Sequence, residues 1–277
     1  MIQFLVYAEE RYRILLARRD GLKPPWTSDP ILQKYRFCNI FREDDRTTAW
    51  IRENIREPLQ NDPRVLMAMV VARWFNRIET LERIKDLLLA GDWHPAEYRR
   101  RLGSVSPLVT GAYMVKTPPR MSKLEGIIHC VSAFERDAVH LATHGDPEST
   151  TLQGLWEVLT GYPYLGPFMA YEVVTDLRHT YLGEEADDIL TWCCPGPGCA
   201  RGLGRLLHDD RSVYSYVSPR DRRVMLCLMN ELLPTVNKNW NEQWPCWEMR
   251  ELEHTLCEFD KYERARLGEG RPKQKFK

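Results

Sequence analysis

The segment Asp187–Arg205, DDILTWCCPGPGCARGLGR, holds the residue types and spacing that most clearly suggest chemistry. Two adjacent carboxylates precede a Gly/Pro-rich turn, and Arg201 and Arg205 then share one face of a predicted helix. The unpaired N–H groups at a helix start attract anions, and small residues let a ligand approach the backbone: Gly196, Gly198, Gly202 and Gly204. A carboxylate beside a phosphate-sized anion site would make a reaction centre. The alternative is a structural turn followed by a solvated basic helix.

A second polar set lies in KYRFCNIFREDDRTTAWIRENI, within residues 30–60. The three- or four-residue spacing of Asn39, Arg42, Asp45 and Arg46 predicts one polar helix face. Asn is unfavourable within a helix unless its amide has a partner. This face could bind a base or a phosphate, or it could be a salt-bridged surface.

The segment Gly103–Pro119 interrupts the helical pattern, with Lys116 and Arg120 close to Pro118 and Pro119. Long irregular segments in compact domains are usually functional, so this segment is the candidate binding loop. Residues 109–115, VTGAYMV, could form a short strand or a loop.

The segment from Tyr162 to Ala170 contains a Pro-x-x-Gly-x-x-x-Ala turn between two predicted helices. Such a helix–hairpin–helix exposes backbone N–H groups at a helix start, which can hold a DNA phosphate without reading sequence.

Apolar spacing predicts the helices that position these groups, and the fold class is therefore all-α. The main predicted helices cover residues 2–19, 63–90, 93–101, 123–144, 149–160, 218–233 and 249–266. We expect the basic tail 268–277 to be mobile.

Composition narrows the class of protein. With 39 Lys+Arg and 39 Asp+Glu in 277 residues, contact with nucleic acid requires a local basic patch. No long uncharged apolar segment and no secretory signal occur, so we expect a cytoplasmic protein. The cysteines at 193, 194 and 199 lack a C-x2-C pair, and we expect no metal and no cofactor.

The hairpin resembles the L-P-G-[IV]-G-x-x-x-A motif of the helix–hairpin–helix DNA glycosylases, with Tyr164 in place of the first glycine and Gly166 as the second. Asp187 and Asp188 follow Gly166 at about the interval at which that superfamily has its aspartate. Phe168 and Met169 stand where bifunctional glycosylases have a lysine, so Schiff-base chemistry is not expected.

Five motifs in order resemble the amino acid:DNA transferase family, also known as α-glutamyl/putrescinyl-thymine pyrophosphorylase. They are YRFCNIFREDDR (35–46), GAYMV (111–115), LGPFMAYEVVTDL (165–177), TWCCPGPGCARGLGRL (191–206) and LEHTLCEFDKYER (252–264). The resemblance implies thymidine hypermodification in bacteriophage DNA. A separate kinase activates 5-hydroxymethyl-uracil in double-stranded DNA, and the transferase displaces the phosphate or pyrophosphate with an amino acid or polyamine.

The resemblance also implies one catalytic unit over residues 1–277, with two helical lobes around a central cleft. We expect an outer lobe of 1–122 with 216–277, and a hairpin lobe of 123–215. Asp188, with Asp187 as second choice, would act as the base for the amine.

The remaining expected roles divide between the leaving group, the base and the DNA backbone. Substrate and phosphate contacts are expected from Asn39, Arg42, Arg46, Tyr113, Lys116, Gly196, Gly198 and Arg201, with Asn39 at the pyrimidine edge. DNA contacts are expected from Tyr164, Gly166 and Arg120, since the base must leave the stack. Two alternatives stay open: a monofunctional glycosylase in which Asp188 stabilises an oxocarbenium-like centre, and a non-catalytic DNA-binding module.

Overall fold

A computed structural model describes residues 1–91, 93–111, 115–144 and 151–276, with only the backbone of His144. The described chain is all-α, as predicted, and contains no β-strand. Its α-helices are α1 (Ile2–Arg19), α2 (Pro30–Lys34), α3 (Arg46–Ile51), α4 (Arg64–Phe75), α5 (Ile78–Leu81), α6 (Lys85–Ala90), α7 (Pro95–Leu102), α8 (Lys123–His144), α9 (Leu152–Thr160), α10 (Pro167–Leu177), α11 (Pro197–His208), α12 (Pro219–Asn239) and α13 (Met249–Arg266). None of the described helices is both long and apolar enough to cross a membrane.

The chain divides into two compact units with boundaries other than those of the expected lobes. Unit 1 consists of Met1–Asp45 and Leu190–Lys277, and unit 2 of Arg46–Ile189. Unit 1 therefore joins both ends of the chain, whereas unit 2 is one continuous segment.

Unit 1 is built around α13, which packs against α1, α2, α11 and α12. Apolar residues recur along one face of α1, and their burial against α13 holds the two ends of the chain together. The ring of Phe4 lies 5.4 Å from that of Phe259 and 6.0 Å from that of Trp247. Edge-on aromatic contacts of this kind add to the free energy gained from burial.

The C-terminal tail is bound to unit 1 rather than mobile. Lys275 forms an antiparallel bridge with Tyr35, and the N–H of Phe276 donates to the carbonyl of Lys34 at 3.2 Å. The Phe276 ring also contacts Trp26 at 5.8 Å. The prediction from the basic composition of the tail was wrong because it took no account of these contacts with residues far away in sequence.

Unit 2 has α4 at its centre, buried on nearly every side and packed against α8 and α10. Its core contains an ion cluster in which Asp176 accepts from Arg73 at 2.5 and 2.7 Å and from Arg56 at 3.3 Å. All three side chains are at most 3 % exposed. Two guanidiniums therefore share one carboxylate that is shielded from solvent.

The predicted continuous helix face through Asn39, Arg42, Asp45 and Arg46 is not formed. Residues 36–41 are non-helical, Arg42–Asp44 is a single 3₁₀ turn, and α3 begins only at Arg46. Side-chain hydrogen bonds of Asn39 with Asp44 and Asp45 replace the helical backbone ones.

Candidate functional site

The loop 36–45 of unit 1 is held by a buried arginine from α1. Arg11, 4 % exposed, donates from Nε to the carbonyl of Cys38 and from Nη2 to that of Phe37, both at 3.1 Å. Its Nη2 also donates to Asn39 Oδ1 at 2.6 Å. One guanidinium thus satisfies carbonyls that would otherwise need helical partners.

Asn39 closes the loop on itself. Its backbone N–H donates to Asp45 Oδ1 at 3.1 Å, and its Nδ2 donates to the carbonyl of Asp44 at 2.8 Å. Both ends of the side-chain amide therefore have protein partners, and its predicted contact with a pyrimidine edge remains a prediction.

Helix α13 supplies the other wall of this site. Glu258 Oε2 accepts from the backbone N–H of Cys38 and from Lys261 Nζ, each at 2.9 Å. One turn earlier, the ring of His254 donates to the backbone carbonyl of Asn39. The motifs YRFCNIFREDDR and LEHTLCEFDKYER, more than 200 residues apart, therefore form one polar site, here called the loop–α13 site: Arg11, Cys38, Asn39, Arg42, Asp45, His254 and Glu258.

Burial dominates the electrostatics of the loop–α13 site. It lowers the pKa of His254 well below its usual value, with Arg42 and Arg250 adding to the effect, so the imidazole is neutral at neutral pH. It raises the pKa of Asp45 despite Arg42, whose Nε lies 3.9 Å from Asp45 Oδ2. It also raises the pKa of the Cys38 thiol, with Glu258 and Asp45 adding to the shift.

Three side chains of this site are arranged as metal ligands could be. One ligand atom from each of Cys38, Asp45 and His254 lies within 4.8 Å of the other two. The sequence contains a weak signal for this wall, since His254, Glu258 and Lys261 recur at helical spacing along α13. It contains no signal that this face meets Cys38.

The predicted anion site at the start of α11 faces a carboxylate of the protein itself. The N–H of Gly196, the N-cap residue, donates to Glu253 Oε1 at 3.2 Å. The helix start thus binds an anion as expected from its free amides, and that anion is Glu253. Binding of pyrophosphate to Gly196 and Gly198 remains a prediction, and it would require Glu253 to give way.

The glycines of α11 serve close packing against α13. A Cβ on Gly198 would lie 2.2 Å from Cys257 Sγ, and one on Gly202 would lie 2.0 Å from the carbonyl oxygen of Leu256. These positions therefore exclude any side chain. Helix packing accounts for both glycines without a ligand.

Arg201 lies in an ion network on the same pair of helices. Its Nε donates to Asp260 Oδ2 at 2.8 Å, and Asp260, which is fully buried, also accepts from Arg205 at 3.0 Å. The Arg201 side chain is 36 % exposed, so its outer edge can still reach a ligand.

In unit 2, Asp188 caps a helix. Its two carboxylate oxygens accept from the N–H groups of Leu152 and Gln153 at 2.7 and 2.9 Å, and Thr151 Oγ1 accepts from Gly154 N–H at 3.0 Å. Capping thus accounts for Asp188, and a catalytic role remains a prediction. Asp187 is exposed to solvent.

The segment of the predicted hairpin folds as α9, a turn and α10, and its assignment as a DNA-binding helix–hairpin–helix remains a prediction. Tyr164, 40 % exposed, has a φ of 63°, the left-handed conformation that glycine adopts without strain. Gly166 is the N-cap of α10, and no side chain caps that helix. Trp156 Nε1 fixes the turn by donating to the carbonyl of Pro167 at 2.9 Å.

The remaining predicted contacts lie on the surface of unit 2. Arg46 lines a cavity of about 360 Å³ with Asn76, Arg77 and others. Arg120 lines another of about 760 Å³ with Arg99 and Glu125, and Lys116 is exposed. Tyr113 lies outside the described residues.

Comparison with known proteins identifies the family. A family model described as "5-hmdU DNA kinase, helical domain" matches residues 1–271. A 5-hmdU DNA kinase of Bacillus phage SP10 is 26 % identical over an alignment of 276 positions, which covers 88 % of this chain and 41 % of the relative. The chain therefore spans less than half of that protein. No solved structure matches. With nearly its whole length matched, the chain belongs to the family of the 5-hmdU DNA kinase helical domain.

Proposed function

We propose that this chain acts in the hypermodification of thymidine in phage DNA, on DNA that contains 5-hydroxymethyl-deoxyuridine. The observation that carries the proposal is the match of residues 1–271 to the helical domain of a kinase named for that base. The loop–α13 site adds to it, because it joins two of the five motifs that resemble the amino acid:DNA transferases.

The reaction we propose is amine transfer to an activated base. The nitrogen of an amino acid or polyamine attacks the 5-methylene carbon, and the bond from that carbon to the phosphate or pyrophosphate oxygen breaks. The leaving group takes the electron pair, and the amine proton goes to a base, for which Asp188 and Asp187 are the candidates. Developing negative charge is best stabilised by fixed cationic groups, such as Arg42 and Arg201.

The proposed reaction uses the phosphorylated base and does not produce it. The 277 residues contain no Gly-Lys pair and hence no Gly-x-x-x-x-Gly-Lys-Ser/Thr loop, whose lysine reaches the phosphates of ATP in P-loop kinases. In this proposal a kinase supplies the activated DNA and this chain consumes it.

Nucleoside analysis tests the reaction directly. The protein is incubated with 5-hydroxymethyl-uracil DNA, a kinase for that base, ATP and an amine mixture, and the digested DNA is analysed by mass spectrometry. A new amine-bearing nucleoside that depends on the kinase supports transfer. Abasic sites formed without the kinase would instead indicate a glycosylase.

Two variants at the start of α9 separate catalysis from capping. Asp188→Asn removes the charge but keeps an oxygen acceptor, whereas Thr151→Ala removes a neutral cap from the same helix. If Asp188 is the base, Asp188→Asn lowers transfer by about 10²-fold or more while Thr151→Ala retains it. Equal losses in both variants would assign Asp188 to capping alone.

A second candidate function is a DNA-holding module that presents the duplex to a kinase. The observation that favours it is the hairpin, with its uncapped helix start at Gly166.

A Cβ on Gly166 meets nothing within 4 Å and its φ is −68°, so Gly166→Ala should fold normally. Gly270→Ala is the matched control, because a Cβ there meets only Arg264 Nη1 at 4.0 Å. Weaker DNA binding by Gly166→Ala but not by Gly270→Ala would place a phosphate at the hairpin. If Gly166→Ala retains DNA binding and the nucleoside assay shows no transfer, a DNA-holding module would have to bind DNA through another surface.

A further inference from the structure

We propose that Cys38, Asp45 and His254 bind a divalent transition-metal ion of the Zn²⁺ class. Their ligand atoms lie within 4.8 Å of one another, although the residues come from a loop and from a helix more than 200 positions later. The sequence expectation of no metal rested on the cysteines near 193–199. Cys38 gave no signal, because the sequence shows no other ligand at a recognisable spacing from it.

His254 provides the independent evidence that a ligand belongs here. The residue is 9 % exposed, and within the described part of the chain its Nε2 has no hydrogen-bond partner. The hydrogen bond to the carbonyl of Asn39 therefore comes from Nδ1, which leaves the Nε2 lone pair as the acceptor. A buried acceptor without a partner is destabilising, and coordination of a metal would satisfy it.

The outer contacts of these side chains are those expected of metal ligands. The backbone of Asn39 holds two of the three: its carbonyl accepts from His254, and its N–H donates to Asp45 Oδ1 at 3.1 Å. Ligating histidines usually donate their other N–H to a carbonyl or carboxylate, and ligating carboxylates are themselves hydrogen-bonded. Asp45 Oδ2, 3.9 Å from Arg42 Nε, remains available for coordination.

The distances and the donor set favour zinc over magnesium or calcium. Around a tetrahedral zinc ion, with bonds of about 2.0–2.3 Å, ligand atoms lie roughly 3.5 Å apart, so side-chain adjustments of about 1 Å would close the site. Sulfur and imidazole donors suit zinc, whereas magnesium and calcium take oxygen ligands. A thiolate and a carboxylate would together balance the double positive charge.

Three protein ligands leave a fourth position, as in catalytic rather than structural zinc sites. We assign that position to an oxygen of the phosphate or pyrophosphate leaving group. This assignment rests on the proposed function, whereas metal binding itself does not.

Metal titration tests the site without any DNA. Chelator-treated protein is titrated with Co²⁺ and with Zn²⁺, and bound metal is counted by elemental mass spectrometry. We expect one ion per chain and, with Co²⁺, a thiolate-to-metal charge-transfer band. Cys38→Ser should remove the band and lower affinity by about tenfold or more, whereas Cys246→Ser, at an exposed cysteine, should change neither. A band that survives in Cys38→Ser, or no bound metal, would overturn the proposal.

A measurement on the unaltered protein covers the case in which the variants unfold. Zn²⁺ should slow alkylation of Cys38, mapped by peptide mass spectrometry, and leave Cys227 unaffected. Equal alkylation of Cys38 with and without Zn²⁺ would refute the site. A chain that transfers amines but binds no metal would refute this inference and leave the proposed function standing. A chain that binds the metal but transfers no amine would refute the proposed function and leave the metal site standing.

Discussion

At the scale of single residues, Glu251 is a carboxylate buried in the first turn of α13. It is 6 % exposed, and its Oε2 accepts from the backbone N–H of Glu248 at 3.1 Å in a capping box. Burial raises its pKa to about 7, with Arg250 opposing the shift and Glu248 adding to it. The folded protein therefore retains a proton that the unfolded chain loses near pH 4.5.

This raised pKa predicts how stability depends on pH. The contribution of Glu251 is fully present below about pH 4.5 and is lost as the pH rises to about 7, by up to roughly 3 kcal/mol. Glu251→Gln keeps the capping acceptor without the titration. We expect its free energy of unfolding, measured by chemical denaturation at pH 5 and pH 8, to fall less than that of the wild type.

Glu242→Gln, at an exposed position, is the matched control and should follow the wild type. If the free energy of unfolding falls equally from pH 5 to pH 8 in the wild type and in Glu251→Gln, the buried carboxyl group of Glu251 does not retain its proton.

Sequence reasoning singled out several residues of the loop–α13 site but did not predict their conformation. Asn39, Arg42 and Asp45 were singled out, yet the expected helix is replaced by a loop whose carbonyls are satisfied by Arg11. Neither Arg11 nor His254 was expected in a site. Spacing along the chain cannot show contacts such as that of Cys38 with Glu258, 220 residues apart.

At the scale of elements, the close approach of α11 and α13 is set by glycines. Gly198 and Gly202 are four residues apart, so they lie on one face of α11, directly against Cys257 and Leu256 of α13. The contact on the Gly202 side is with backbone, which cannot rotate away. A methyl group there must push the helices apart.

We expect Gly202→Ala to destabilise the protein by about 1–3 kcal/mol or more, as overpacking does. Thermal and chemical unfolding measure the loss. Gly111→Ala, whose Cβ meets nothing within 4 Å, is the control and should lie within about 0.5 kcal/mol of the wild type. Wild-type stability in Gly202→Ala would mean that the two helices are not so closely packed.

Helices with strong amphipathic spacing were predicted well, because burial of one face both creates the pattern and fixes the bounds. The predicted and observed ranges agree for α1, α8 and α13. The predicted turn between α9 and α10 is also formed, and it places Tyr164 at a positive φ where the related motif has glycine. The roles of the α11 glycines could not be predicted, since a glycine that meets a ligand and one that meets a helix look alike in sequence.

At the scale of the whole molecule, the two units differ from the lobes expected from the sequence. The expected boundaries were implied by the family resemblance, whereas the boundaries of the two units follow contacts between the chain ends, such as Gln3 with Glu263 at 3.1 Å. Each unit also has its own buried ionic centre: Asp260 in unit 1 and Asp176 in unit 2.

Hydrogen exchange should reveal the two units separately. Asp176→Asn removes the charge of the buried carboxylate that Arg56 and Arg73 share, a loss of about 3–5 kcal/mol, and should lower amide protection within residues 46–189. Gly202→Ala should lower it within residues 1–45 and 190–277. Exchange measured by mass spectrometry distinguishes these patterns, and equal loss across the chain in both variants would show a single cooperative unit.

The pairing of α1 with α13 has a consequence for the nascent chain on the ribosome. Unit 2 is complete once Ile189 has been made, and it can fold while the rest is being translated. The first 45 residues must wait for the last helix, because Phe4 and Cys38 have their partners, Phe259 and Glu258, on α13. Until then α1 exposes an apolar face to the cell, and this interval is when chaperones would be needed most.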